Sequence, residues 1–251
     1  MLKSSNINIM SKALLKASRV LRRDFNELEN LQNSLSRIQI FVSRSLQNVK
    51  EILFEELNKA RPEWEIVFKE DEKQGFISIS KEKTKLLVRP ISGVANYTKG
   101  ISYFTTSVTL IEQNIQNAVV VYDPIKDELF CAERGKGAFL NNFRIRISSN
   151  KNLNNSIVVI ESSELLVEKI RVALEKKNAI IRILGSKCLD FANLASGRID
   201  CYVSKVPLDE HEPGLLLLKE SGGINSQIVD LKNIYFYSND NISEILKIKQ
   251  C

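Results

Sequence analysis

The spacing of apolar residues changes period twice along this chain, and those changes restrict its fold more than any other feature. Near the N-terminus Leu14, Ala17, Leu21, Phe25 and Leu28 recur at steps of three and four, the repeat of one face of an α-helix. Val42, Leu46, Val49, Leu53 and Leu57 repeat the pattern in a second helix. Pro62 ends it, because a proline ring cannot continue the backbone hydrogen bonding. From there to residue 148 the segments are short and β-branched or alternating. Residues 65–69, 76–80, 85–88, 102–111, 118–122, 128–132 and 144–148 read as strands, with turns at 114–117 and 123–127 and a tight reversal at Gly135 and Gly137. Beyond 155 the rhythm alternates: strands at 156–160, 179–184, 199–204 and 224–229, and helices at 164–177, 188–196 and 214–221.

Strand and helix in alternation build a helical layer on a sheet. The fold class is therefore α/β with an α+β N-terminal half. A helix pair and a mixed or antiparallel sheet over 1–150 are closely joined to an α/β half over 151–251, with the join in the Ser- and Asn-rich stretch 148–155.

Composition narrows what such a chain does. Its 251 residues are 43% hydrophobic and 26% charged, which excludes a disordered chain, and no apolar run is long enough for a membrane span. The basic N-terminal segment spaces its apolar residues helically and is read as a folded helix, not a targeting signal. Cys131, Cys188, Cys201 and Cys251 form no CxxC pair and read as reduced thiols of a cytoplasmic protein, Cys188 and Cys201 in the core. A single histidine, His211, rules out any histidine-cluster mechanism and reads as a surface residue at a helix start. The net charge is +6, but Lys and Glu interleave, so a nucleic-acid partner is not expected. The cations from Lys12 to Arg23 are the wet face of the first helix or a partner surface.

The most specific segment is 119–141, VVVYDPIKDELFCAERGKGAFLN. With GSKCLD at 185–190, ASGRID at 195–200 and LLKESGG at 217–223, it is similar in order and spacing to the inositol monophosphatase family, in its bacterial SuhB-type branch. The resemblance runs from about residue 10 to 250. It implies that family's layered α-β-α-β-α sandwich and a homodimer. It also implies an ancestral reaction, magnesium-dependent hydrolysis of inositol 1-phosphate or similar phosphate monoesters, in which carboxylates hold the ions that activate water.

The family's working groups are largely replaced. Its motif DPIDGTTNF stands here as Arg89-Pro90-Ile91-Ser92-Gly93-Val94-Ala95-Asn96-Tyr97. The frame is kept, but both aspartates are lost, to Arg89 and Ser92, and the water-orienting threonine is Val94. A further helical aspartate corresponds to Leu46, and a sugar-contacting glutamate to Ser204. Glu70, in the acidic pair Glu70-Asp71, matches the first ligand. The WD dipeptide falls at Asp209-Glu210, with Glu210 favoured over Asp209 for the ligand position. The remnant site is thus Glu70, Arg89, Ile91, Ser92, Gly93 and Glu210, with Glu70 and Glu210 as remnant metal positions. About four carboxylates have become two acids and an arginine, so a charge of roughly −4 becomes roughly −1, and a guanidinium cannot be deprotonated.

The resemblance therefore implies a phosphatase fold with its activity lost, no cofactor beyond the ancestral magnesium, and a role as scaffold or regulator. SuhB-type proteins are associated with the transcription machinery, which makes such a protein the implied partner. The alternative is an active phosphatase with altered metal use. Glu70 is a residual ligand or an ion-pair partner. Arg89 either binds phosphate or plugs the site by neutralising leftover acids, and we expect it to meet Glu70, Asp209 or Glu210.

Overall fold

A computed structural model describes residues 4–28, 35–69, 84–161, 165–205, 211–227 and 234–248. The two opening stripes form helices α1 (Ser5–Leu28) and α2 (Leu35–Ala60). They pack together through Leu14, Leu21 and Leu28 on one and Val49, Leu53 and Leu57 on the other, all fully buried.

The strands among the described residues form two sheets. The first has seven strands in sequence order: β1 (Glu65–Phe68), β2 (Lys85–Ser92), β3 (Thr105–Glu112), β4 (Ile115–Asp123), β5 (Glu128–Glu133), β6 (Gly137–Leu140) and β7 (Phe143–Arg144). Only the β1–β2 pair is parallel. The second contains β8 (Ile157–Ile160), β9 (Ile180–Arg182), β10 (Cys201–Ser204), β11 (Ile224–Gln227) and β12 (Tyr235–Ser238), in the order β11-β12-β10-β8-β9. There β8 pairs in parallel with β9 and β10, and β12 runs antiparallel to β10 and β11.

Alternation along the strands assigns each sheet face to a layer. On β4, Ala118, Val120 and Tyr122 join the core of α1 and α2, whereas Val119 and Val121 pack against helices α5 (Lys187–Ala195) and α6 (Pro213–Ser221). Those two helices also cover the second sheet, where Phe191 and Leu218 meet Val159, Tyr202 and Tyr237. The opposite face of that sheet, with Val158, Val203 and Phe236, is covered by α4 (Leu165–Glu175) and α7 (Asp240–Ile248), through residues such as Leu174 and Ile242. The result is the five-layer α-β-α-β-α sandwich.

The structure departs from the sequence pattern in several places: β4 already begins at Ile115, inside the turn expected at 114–117, and β2 runs on past Val88 to Ser92. Residues 145–148 form no strand: the Ile145 amide bonds to the Ala138 carbonyl and the Ile147 amide to the Ser221 carbonyl, so the segment is divided between a sheet edge and a helix end. Gly137 opens β6 instead of only turning the chain. Residues 94–98 form a one-turn helix, α3 (Val94–Thr98), too short for periodicity to reveal. Residues 235–248, for which the pattern assigns no element, supply β12 and α7. The strand expected at 76–80 lies outside the described residues.

Close packing between α5 and α6 is set by Gly214. A Cβ built there would lie 2.2 Å from the Phe191 Cβ. Phe191 has little room to retreat, because the rings of Tyr202 and Tyr237 lie at centroid distances of 4.7 and 5.2 Å. Gly→Ala in a helix ordinarily gains up to about 1 kcal/mol. Gly214→Ala is expected to destabilise instead, by about 1–3 kcal/mol through overpacking. Urea unfolding monitored by circular dichroism gives the sign directly.

Candidate functional site

The segment from Arg89 to Tyr97 lies along β2 and its exit. Every residue of β2 is buried, Arg89 included, at 5% exposure. The Arg89 Nη2 donates to Glu212 Oε2 at 2.7 Å, and Glu212 is only 3% exposed. Glu212 immediately precedes α6, whose first residue is Pro213. A carboxylate there lies at the positive end of the helix dipole, although it makes no hydrogen bond to the first turn. The other Glu212 oxygen lies 3.6 Å from the Cys188 thiol, and its backbone carbonyl accepts from Gln116 Nε2 at 2.9 Å.

Ser92 and Gly93 stitch β2 to α5. The Ser186 hydroxyl donates to the Ser92 carbonyl at 2.9 Å, and the Cys188 amide to the Ser92 hydroxyl at 3.4 Å. Gly93 has φ 93°, and a Cβ there would meet the Tyr103 carbonyl oxygen at 2.9 Å, so both conformation and space demand glycine. Ile91 belongs to the core beneath α1 and α2, and Leu46 and Val94 pack on the same core. The positions where the resemblance puts a helical aspartate and a threonine therefore add apolar surface.

A second ion pair borders the first. Lys187 Nζ lies 2.5 Å from Glu161 Oε1, and the Ser204 hydroxyl donates to the same glutamate. Burial alone would lower the Lys187 pKa, and Arg89 acts in the same direction. Glu212 and Glu161 together outweigh both and hold the ammonium above its ordinary value. Two cations and two carboxylates are thus brought together, with no net charge among them.

Asp190, on α5, is different. Burial raises its pKa from 3.8 to about 7, against the hydrogen bond that it accepts from Tyr103 at 2.8 Å. Burial also pushes Tyr103 well above the ordinary tyrosine value. The Tyr103 hydroxyl in turn accepts from Asn193, whose carbonyl accepts from Arg198, and Arg198 holds Glu128 on β5 through two contacts at 2.6 and 2.7 Å.

Glu70, Asp209 and Glu210 lie outside the described residues. Arg89 is joined to Glu212, which the sequence reading did not single out. A signal was present, since Glu212-Pro213 combines an acid with the residue favoured at the first helical position. His211 is a correction. It is 6% exposed, with Nε2 3.2 Å from Asn114 Oδ1, because the approach to α6 packs against the β3–β4 hairpin. Cys131, Cys188 and Cys201 are buried free thiols.

Among the described residues no three histidine, cysteine, aspartate or glutamate side chains gather as a group that could hold a metal ion. Glu212 is already joined to a guanidinium, which would repel a cation placed beside it. The described residues do not fit magnesium.

The layered fold and a site at the ends of β2, α5 and α6 define a phosphatase-type scaffold. The sequence model of the inositol monophosphatase family matches residues 3–236, and the chain belongs to that family. It is 37% identical over 232 residues to an inositol-1-monophosphatase of Rhizobium meliloti, covering 89% of this chain and 85% of the relative. It is 31% identical over 224 residues to Nus factor SuhB of Xylella fastidiosa, covering 86% and 80%. The crystal structure of the extragenic suppressor protein SuhB from Bartonella henselae superposes with a TM-score of 0.80 at 29% identity, covering 97% of this chain and 98% of that one. No helix among the described residues is long and apolar enough to cross a membrane.

Two outcomes follow. Arg89→Met leaves Glu212 buried beside an apolar chain and is expected to cost about 3–5 kcal/mol, whereas Arg89→Met combined with Glu212→Leu recovers most of that loss. Chemical denaturation of both variants measures the difference. For Asp190, the raised folded value means that its neutral form is favoured by folding. That contribution is complete below about pH 4 and is lost as pH rises through about 7. Asp190→Asn keeps an acceptor for Tyr103, so its stability relative to wild type should rise by about 2 kcal/mol between pH 5 and pH 8. An unchanged difference across that range would contradict the burial of the charge.

Proposed function

We propose that this chain is a member of the inositol monophosphatase family that does not hydrolyse phosphate esters and serves as a scaffold or regulator. The buried Arg89–Glu212 ion pair carries the reading, because it stands where the resemblance puts a metal-bridging aspartate. Leu46 and Val94, packed against the apolar core, support it, as does the second ion pair, Lys187–Glu161. The reading needs no cofactor. A cytoplasmic homodimer is the assembly that accompanies it, and the relatives named Nus factor SuhB support a partner in the transcription machinery.

A second reading is favoured by the relative named inositol-1-monophosphatase at 37% identity. It is a phosphate-monoester phosphatase with altered metal use, with Glu70 and Glu210 among its ligands. Turnover of inositol 1-phosphate and a set of other phosphate monoesters, titrated with magnesium and manganese, separates the two. Loss of one well-placed charge-stabilising group costs about a hundredfold or more in rate. We expect rates at least that far below an active family member assayed alongside. Turnover at that member's rate with either metal would establish the second reading.

A further inference from the structure

The outer face of α1 carries a charge pattern that the interior site does not use. Between Ser5 and Arg23 this helix has five cations, Lys12, Lys16, Arg19, Arg22 and Arg23, and no acid. All five side chains are exposed. Lys12, Lys16, Arg19 and Arg23 follow steps of four, three and four, so they form one row about 16 Å long at 1.5 Å per residue.

Internal carboxylates neutralise the row only in part. Arg23 pairs with the buried Asp24 at 2.7 Å, and Lys16 with Glu56 of α2 at 2.5 Å. Lys12 and Lys59 also act on Glu56, which places one carboxylate among three cations. Lys12, Arg19 and Arg22 have no ion-pair partner among the described residues. These three surround Leu15, at i−3, i+4 and i+7 from it, and Leu15 is 39% exposed.

An exposed leucine ringed by three cations that have no ion-pair partner among the described residues differs from a solvated charge face, in which signs alternate. It also differs from a single-strand nucleic-acid surface, which adds aromatic rings for base stacking, since the only aromatic side chain of α1, Phe25, is buried. The complementary ligand offers carboxylates around an apolar side chain. We infer that the outer face of α1 is a docking surface for an acidic protein segment that seats an apolar residue on Leu15. The face is a single helix ridge, so the complex belongs to the small, transient class in which charge sets the encounter rate and the apolar contact sets register. The inference holds whether or not the interior site turns over a phosphate ester.

The test uses the full chain and three fluorescein-labelled probes. The first is a synthetic amphipathic peptide with glutamates and leucines at helical spacing, the second the same peptide with serines for leucines, and the third a 20-nucleotide single-stranded RNA. Fluorescence anisotropy at two salt concentrations is expected to show binding of the glutamate–leucine peptide, weakening with salt. The serine peptide and the RNA should bind at least fivefold more weakly. The triple variant Lys12→Gln/Arg19→Gln/Arg22→Gln should weaken peptide binding at least tenfold, and Leu15→Ser at least threefold. Both variants alter exposed positions, and their far-UV spectra and melting curves should match wild type. RNA binding as tight as the peptide's and indifferent to Leu15→Ser would overturn the inference in favour of a general polyanion surface. Peptide binding equal in wild type and triple variant, or none, would reduce the face to solvated charge.

Discussion

Both faces of the inner strands of both sheets are buried, and that condition governs the architecture. A sheet with two apolar faces needs cover on each side, and two such sheets would ordinarily need four covering layers. Here three suffice, because α5 and α6 present apolar residues in two directions. Cys188, Leu189, Ala192 and Leu217 face the first sheet, while Phe191, Leu194 and Leu218 face the second. Such helices cannot follow the usual pattern of one apolar stripe and one wet face. Eight of the nine residues of α5 are buried, and close approach to its neighbour is achieved by removing a side chain altogether at Gly214.

The polar groups of the site lie where this shared layer begins. Arg89 comes from a central strand, Glu212 from the entry to α6, and Lys187 from the first turn of α5. Each is drawn out of water by apolar packing on both sides, so each must be matched by charge or hydrogen bonding nearby. The same dry surroundings that would strengthen a metal site also make an ion pair sensitive to the loss of either member. Arg89 satisfies the Glu212 carboxylate here, whereas an acid in its place would repel Glu212 and attract a cation.

Much of this was readable from residue spacing. The stripes of α1 and α2 appear as buried faces, with Leu46 half-buried, and the alternation on β4 and β5 correctly separates Val120 from Val121. The short elements were hidden because one helical turn at 94–98 and four residues at 137–140 contain too few repeats to establish a period. The pairing of Arg89 with Glu212 was hidden for another reason. These residues are 123 positions apart, and the choice among neighbouring acids depends on how the chain enters α6, which composition does not encode. His211 was misjudged on the same ground: polar neighbours suggested exposure, while the hairpin that covers it comes from residue 114.

The strand order of the first sheet has a consequence for how the chain is made. From β2 to β7 each strand pairs with its sequence neighbours, so these contacts are short-range and form quickly. The inner face of that sheet, with Val119, Val121, Phe130 and Ala132, is covered only by helices between residues 187 and 221. A ribosome delivering this protein N-terminus first therefore releases a paired sheet with a bare apolar face well before its cover exists. For that interval the nascent chain relies on chaperones or on dilution to keep the face from other chains.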